Sequence, residues 1–219
     1  RNEGIDNEHL QDYTQMEFYW AYANYENGME LVQEMYRLVA KEILGSLKFT
    51  SHGFAIDLGK KWELYDYETL IKEKTGVKIF EASKEKIKKK LDSLKMDYEK
   101  KADKWRLVDS LWKYCRKNIA GPGFLVNQPV AISPLAKRNE QDPRKVEQFQ
   151  VIIAGTELGN GYSELNDPVD QEKRFMEQRK LKDTGDTEAH EHDESFVDAL
   201  HYGMPPACGF GVSERLFSY

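Results

Sequence analysis

The sequence has little cysteine, no long apolar run and no extreme of charge, and each of these features limits the class of protein. Its 219 residues include two cysteines, Cys115 and Cys208, which lie far apart and have no metal-binding spacing. The simplest interpretation is a reduced, cytoplasmic protein without a disulfide framework. No apolar run approaches the roughly 18 residues that a membrane span requires, and no signal peptide opens the chain. We therefore expect no membrane partner.

Motifs that would identify several common enzyme classes are also missing. The glycine-rich segments spell neither GxGxxG nor GxxxxGK[ST], and no Ser–His–Asp or Cys–His arrangement is recognisable. His190 and His192 stand two residues apart in a charged loop, a spacing that does not place two ligands on one helix face, so a metal site is not favoured there. The net charge of −6 gives no overall nucleic-acid signature, although it leaves room for a local basic face.

The composition is that of a folded domain, with 40% hydrophobic and 12% aromatic residues. Apolar residues alternate along residues 14–23 and fill residues 148–154, which predicts strands, and residues 47–58 resemble a hairpin. Helical spacing predicts helices over residues 28–44, 67–73, 82–101, 105–119, 168–181 and 195–202. Because strands and helices mix without regular βαβ alternation, the pattern favours an α+β domain, an antiparallel sheet flanked by helices.

Residues 155–168 combine carboxylates, an amide and a phenol within a short stretch. If the stretch is a strand, Asn160, Tyr162 and Glu164 share one face, since side chains alternate across a strand. Glu157 has the opposite parity and should lie apart from that face. Such a face suits a site for a polar cation, and the alternative is a solvated edge strand.

Residues 14–23 present a similar combination, because Glu17 and Tyr19 share the polar face of that predicted strand. An exposed strand face is the alternative here too.

The lysines of residues 82–101 are interpreted as a solvated helix face, with RNA contact as the lesser alternative. Trp105, Trp112 and Cys115 recur at helical spacing and are interpreted as core residues rather than a cofactor site.

Six segments, in order along the whole chain, resemble the catalytic core of class II lysyl-tRNA synthetases. They are RNEGIDNEH (1–9), TQMEFYWAYANY (14–25), PVAISPLAKRN (129–139), GTELGNGYSELNDPVDQ (155–171), YGMPP (202–206) and GFGVSERL (209–216). The resemblance implies a class II antiparallel sheet. It also implies that residues 1–219 are a partial catalytic domain, without the family's N-terminal anticodon-binding barrel and its first motif, which builds a homodimer.

The resemblance further implies ATP-dependent activation of L-lysine to lysyl-adenylate and transfer to tRNA(Lys). The implied catalytic residues are Arg1 and Arg215. The implied ATP-binding residues are Arg1, Glu3, His9, Tyr13 and Arg215. The implied lysine-binding residues are Arg1, Glu17, Tyr19, Asn160, Tyr162 and Glu164. The implied Mg²⁺ ligand is Glu157, with Gln150 and Glu164 as further candidates.

Two departures from the family pattern keep other hypotheses open. Gln150 stands where the family usually has a glutamate, so we expect weaker or altered metal binding. The third motif around Arg215 is one residue shorter than the usual pattern. The alternatives are a synthetase-like protein lysyltransferase acting on a translation factor and a synthetase-like protein that only binds. We expect residues 1–219 alone to be weakly active at best.

Overall fold

A computed structural model, which describes residues 14–183 and 192–217, contains a six-stranded sheet and a separate two-stranded hairpin within those residues. The strands are β1 (Glu17–Ala21), β2 (Lys48–Ser51), β3 (Phe54–Asp57), β4 (Glu63–Asp66), β5 (Gly123–Val126), β6 (Gln148–Ile153), β7 (Thr156–Ser163) and β8 (Ala207–Val212). The order across the large sheet is β1-β8-β7-β6-β5-β4, and every neighbouring pair is antiparallel except β4 and β5. The predicted hairpin is formed by β2 and β3.

The helices are α1 (Tyr25–Leu44), α2 (Tyr67–Thr75), α3 (Lys84–Ser93), α4 (Lys104–Arg116), α5 (Pro168–Asp183) and α6 (Glu194–Tyr202). Their ends follow local capping chemistry. The Asn24 side chain accepts from the backbone N–H of Asn27, whose own side chain accepts from the N–H of Asn24, so α1 begins three residues before the predicted start. Gly45 ends α1 in the left-handed conformation with φ of 67°.

Two predicted elements are much shorter than expected. The helix predicted over residues 82–101 ends at Ser93, because Lys95 has a left-handed backbone with φ of 55° and the chain turns back to Leu91. The lysines of α3 are exposed or half-buried, as a solvated helix face requires. The strand predicted over residues 14–23 covers Glu17–Ala21, because Tyr22 has φ of 61° and leaves the extended conformation.

The two faces of the large sheet pack against different helices. Phe149, Val151 and Phe210 lie on the face covered by α1, in a core that includes Val32 and Tyr36 of that helix. Leu125 and Ile152 lie on the opposite face, in a second core that these strands form with α2, α3 and α4. This second core covers the β4–β5 side of the sheet, and the same face over β6, β7, β8 and β1 borders a cavity.

The close approach of α1 to the sheet depends on a glycine. A Cβ on Gly28 would overlap the Sγ of Cys208 and lie 3.0 Å from the Phe149 ring.

The predicted antiparallel sheet flanked by helices is confirmed. None of the helices in the described ranges is both long and apolar enough to cross a bilayer.

Candidate active site

The cavity over β1, β8, β7 and β6 has a volume of about 550 Å³. It brings together predicted site residues from both ends of the chain, namely Glu17, Tyr19, Gln150, Glu157, Asn160, Tyr162, Glu164 and Arg215. Arg215 enters from the 3-10 helix Glu214–Phe217 that follows β8. The remaining predicted residues, Arg1, Glu3, His9 and Tyr13, lie outside the described residues, as do residues 184–191 with His190.

Glu164 forms a half-buried acidic part of this cavity with Tyr162, beside Tyr19, which is 70% exposed. Burial raises the pKa of the Glu164 carboxyl to about 7. Burial also raises the pKa of Tyr162, and the nearby Glu164 charge adds to that rise. The pKa of Tyr19 is raised for the same two reasons. A partly buried carboxylate beside two phenols is a place where an ammonium group would be stabilised, because each interaction is stronger away from bulk water.

The residue of β8 that lies against the Glu164 side chain, Gly209, is a glycine for a steric reason. A Cβ on Gly209 would overlap the Oε1 atom of Glu164 and would lie 3.1 Å from Cε1 of Tyr19. Tyr19 is directly opposite Gly209 in the β1–β8 pairing, and Tyr162 is opposite it in the β7–β8 pairing. The Gly209 backbone therefore lets all three polar side chains meet over β8.

The prediction that Glu157 lies apart from the Asn160 face is wrong. In the β6–β7 pairing, Gly159 is opposite Val151 and Glu157 is opposite Ile152, which leaves Leu158 as an extra residue. A β-bulge of this kind reverses the alternation of side chains along the strand. Leu158 is buried in the α1-side core, where its carbonyl accepts a hydrogen bond of 2.5 Å from the Tyr36 hydroxyl. Glu157 therefore lines the cavity with Asn160.

N–H donors surround the Glu157 carboxylate. Trp112 Nε1 donates to its Oε1 at 2.7 Å, and Arg116 Nε lies 3.6 Å from the same oxygen. Gln150 Nε2 lies 3.5 Å from its Oε2. The described residues contain no group of three His, Cys, Asp or Glu side chains that could hold a metal ion. One carboxylate beside an amide suits a Mg²⁺ ion that phosphate oxygens also bind, rather than an ion bound by protein side chains alone.

Sequence reasoning missed a hydrogen-bonded chain that orients Asn160. The Ser133 hydroxyl donates to Oε1 of Gln148, and Gln148 Nε2 donates to Oδ1 of Asn160 at 2.7 Å. Because its carbonyl oxygen accepts this bond, Asn160, which lines the cavity, has its amide N–H groups left to donate to an anion. The sequence did show that Gln148 has the same strand parity as Gln150 and therefore lies on the same face of β6. It did not show that Gln148 is bonded to Ser133, which lies in a separate loop 15 positions away.

Sequence reasoning also missed Arg174 and Asp170 of α5, which hold the cavity-lining loop at residues 132–136 in place. Arg174 of α5 is 2% exposed, and its Nη1 donates to the carbonyls of Ala136 at 2.6 Å and Ser133 at 3.3 Å. Asp170 pairs with both Arg174 and Arg138. Burial alone would raise the pKa of Asp170, but the hydrogen bonds from these two guanidinium groups hold it at about 2.

The sequence matches the family described as tRNA synthetases class II (D, K and N) over residues 1–219. It is 44% identical over 220 residues to a protein named lysine--tRNA ligase from Thermotoga maritima, covering 100% of this chain and 44% of that protein. A lysine--tRNA ligase from Thermosipho africanus is 42% identical over 212 residues, 97% of this chain and 42% of that protein. A lysine--tRNA ligase from Roseiflexus sp. (strain RS-1) is 41% identical over 214 residues, which are 97% of this chain and 44% of that protein. The chain thus spans less than half the length of these relatives.

Proposed function

The chain belongs to the class II tRNA synthetases of the D, K and N group, and from this we propose that it is the catalytic part of a lysine–tRNA ligase. The reaction would join L-lysine to ATP as lysyl-adenylate and pass the lysyl group to tRNA(Lys). The observation that carries the choice of lysine is the half-buried Glu164 carboxylate, which lies near Tyr19 and Tyr162 in the cavity. Relatives named lysine--tRNA ligase support the same choice.

The first step needs positioning and charge stabilisation rather than a catalytic base. A carboxylate oxygen of lysine attacks the α-phosphorus of ATP, and the bond to the pyrophosphate group breaks. We assign the lysine ε-ammonium to Glu164 and Tyr19, its aliphatic chain to Tyr162, its α-ammonium to Glu17 and its carboxylate to Asn160. The exposed Glu17 lines the cavity, and the orientation of the Asn160 amide supports the last assignment.

ATP would lie at the Arg215 and Glu157 end of the cavity. We assign Arg215 to the nucleotide, and Arg1, Glu3, His9 and Tyr13 to it on the resemblance alone. Arg1 would also bind the lysine carboxylate. A Mg²⁺ ion would be held by Glu157, with the Gln150 amide beside it, and when bound it would neutralise charge on the phosphate oxygens. Assigning Glu164 to lysine makes it a poor candidate for this metal.

We propose tRNA(Lys) as the second substrate, a homodimer as the assembly and the cytoplasm as the location. A protein acceptor in place of tRNA would be revealed by lysine-dependent ATP–pyrophosphate exchange without transfer of lysine to tRNA(Lys).

Lysine-dependent ATP–pyrophosphate exchange by the full-length protein tests the function. We expect exchange with lysine, and its loss in Glu164→Gln. Glu177→Gln is the matched control, because Glu177 is an exposed carboxylate on α5. No lysine-dependent exchange by the wild-type protein, or an unaffected Glu164→Gln variant, would refute the proposal.

A further inference from the structure

Glu157 faces a permanent positive charge inside the protein. Arg116, the last residue of α4, is 9% exposed and directs its Nε towards Oε1 of Glu157 at 3.6 Å. Its Nη1 donates to the carbonyl of Gly155 at 3.3 Å and to Oγ1 of Thr156 at 3.2 Å, so the guanidinium is anchored to the start of β7. A guanidinium does not lose its proton in proteins, so pH does not remove this charge.

The other contacts of this carboxylate also come from N–H donors. Trp112 Nε1 donates to the oxygen that Arg116 approaches, and the Gln150 amide nitrogen faces the second oxygen. The buried Nε of Arg116 makes no hydrogen bond to the described residues, so its polar contact is the ion pair with Glu157. The protein therefore already provides the positive partner that a carboxylate metal ligand would otherwise lack.

We propose that Arg116 is the resident counter-cation of Glu157, and that with the neutral Gln150 it prevents the protein alone from binding a divalent metal there. The metal then enters the cavity only together with nucleotide phosphates. The inference rests on the proposed function, because it takes ATP as the ligand beside Glu157.

The charges around Glu157 oppose the binding of a free metal ion. Mg²⁺ in proteins is usually bound by one or two carboxylates plus substrate phosphate oxygens. In this part of the cavity Glu157 and an amide are the oxygen groups available from the described residues, since Asp109, which lines an adjoining cavity with Glu157, is paired with Lys113 at 2.9 Å. The Arg116 guanidinium repels a second cation over a short distance in a partly buried site. Phosphates bring their own negative charge, so a nucleotide complex overcomes a repulsion that the free metal does not. Removing the Arg116 charge, or adding a carboxylate at position 150, should create affinity for the free metal.

Binding of Mn²⁺ to the full-length protein, measured by electron paramagnetic resonance at pH 8 without nucleotide, tests this directly. We expect the Kd of the wild-type protein for Mn²⁺ to be about 1 mM or weaker. The Kd of Arg116→Gln should be lower by a factor of about ten or more, since this variant keeps an N–H donor for Gly155 and Thr156 but loses the charge. Arg116→Lys keeps the charge, and its Kd should equal that of the wild-type protein.

Lys117→Gln is the matched control, because it removes the same charge from the exposed neighbour of Arg116 and should change nothing. Gln150→Glu provides an independent arm, with an expected gain of similar size. Micromolar Mn²⁺ binding by the wild-type protein overturns the inference, as does an unchanged affinity in Arg116→Gln. If circular dichroism shows that Arg116→Gln is unfolded, an unchanged Gln150→Glu affinity has the same consequence.

The two proposals can fail separately. If Mn²⁺ binding contradicts the role of Arg116 while lysine-dependent exchange is observed, the inference fails and the proposed function stands. If the Mn²⁺ results are as expected but exchange does not depend on lysine, the proposed function fails, and the charge arrangement around Glu157 requires another phosphate-containing ligand.

Discussion

Glu164 is held in a place that favours its protonated form, and its proposed ligand needs the ionised form. With a pKa of about 7, the carboxyl is mostly charged above pH 7 and mostly neutral below it. Protons therefore compete with the lysine ammonium, and we expect the Kd for lysine to rise about tenfold for each pH unit below 7. Calorimetric titration between pH 5.5 and 8.5 measures this slope. A slope that persists in Glu164→Gln would assign it to another group.

The same residue should lower the stability of the unliganded protein. Because its pKa is raised from 4.5 to about 7, its contribution to stability is complete below about pH 4.5 and is lost as pH rises through about 7. Glu164→Gln removes the buried charge, so the free energy of unfolding should rise by up to about 3 kcal/mol at pH 8 and little at pH 4. Urea denaturation at both values measures it. An equal gain at pH 4 would show that packing, not charge, is responsible.

Gly209 should be sensitive to a single methyl group. In Gly209→Ala the new Cβ would displace the Glu164 carboxylate and press on Tyr19. We expect lysine affinity to fall at least about tenfold, with a destabilisation of roughly 1–3 kcal/mol from overpacking. Gly211→Ala on the same strand is the milder comparison, because its Cβ would lie 3.1 Å from the flexible end of Gln15 and in ordinary contact with Glu17 at 3.5 Å, without overlapping either side chain. Equal losses of lysine affinity in both variants would contradict the steric explanation.

At the scale of elements, α5 fixes the loop above the cavity through one buried arginine. Arg174→Met leaves Asp170 with Arg138 alone and removes the donors to Ser133 and Ala136. We expect a loss of about 3 kcal/mol in stability and a higher KM for lysine, because the loop carries Ser133, which orients Gln148 and Asn160. Arg179→Met changes an exposed arginine of the same helix and should do neither. Unchanged lysine KM in Arg174→Met would separate loop anchoring from the site.

Some element ends that depend on neighbouring residues were predicted from the sequence, although the start of α1 at its Asn24 cap was not. The Asp167–Pro168 start of α5 is an example, since Asp167 Oδ1 accepts from the N–H groups of Val169 and Asp170. The shared face of Tyr162 and Glu164 also followed from strand alternation. Glu157 did not, because whether a strand contains a bulge depends on its partner strand and on the burial of Leu158. Parity holds only as far as the register is regular.

The side chains that orient the site depend on long-range contacts, and these were not predictable. Ser133 and Gln148 lie on separate segments, and Arg174 reaches Ala136 from 38 positions along the chain. Buried polar residues such as these need specific partners, which one sequence does not name. The resemblance identified the residues proposed to touch substrate, whereas the structure was required to find those that position them.

At the scale of the whole molecule, the described residues leave apolar surface uncovered. Leu38, Ile43 and Leu44 on α1 are 60%, 78% and 54% exposed, and Trp20 on β1 is 45% exposed. Soluble monomers rarely expose large contiguous apolar patches, and these relatives are more than twice the length of this chain. The stability of residues 1–219 alone should therefore be lower than that of a protein of the relatives' length.

This difference leads to a prediction for activity. Adenylate formation depends on placing two anions within bonding reach, and small displacements of the groups that hold them cost about 100-fold in rate. We expect residues 1–219 alone to catalyse lysine-dependent ATP–pyrophosphate exchange at least about 100-fold more slowly than the full-length protein. The comparison should be made at equal concentration of folded protein, measured by circular dichroism. Comparable turnover by residues 1–219 would mean that the cavity over β1, β8, β7 and β6 is sufficient for the first reaction, and that the rest of the protein serves the transfer to tRNA.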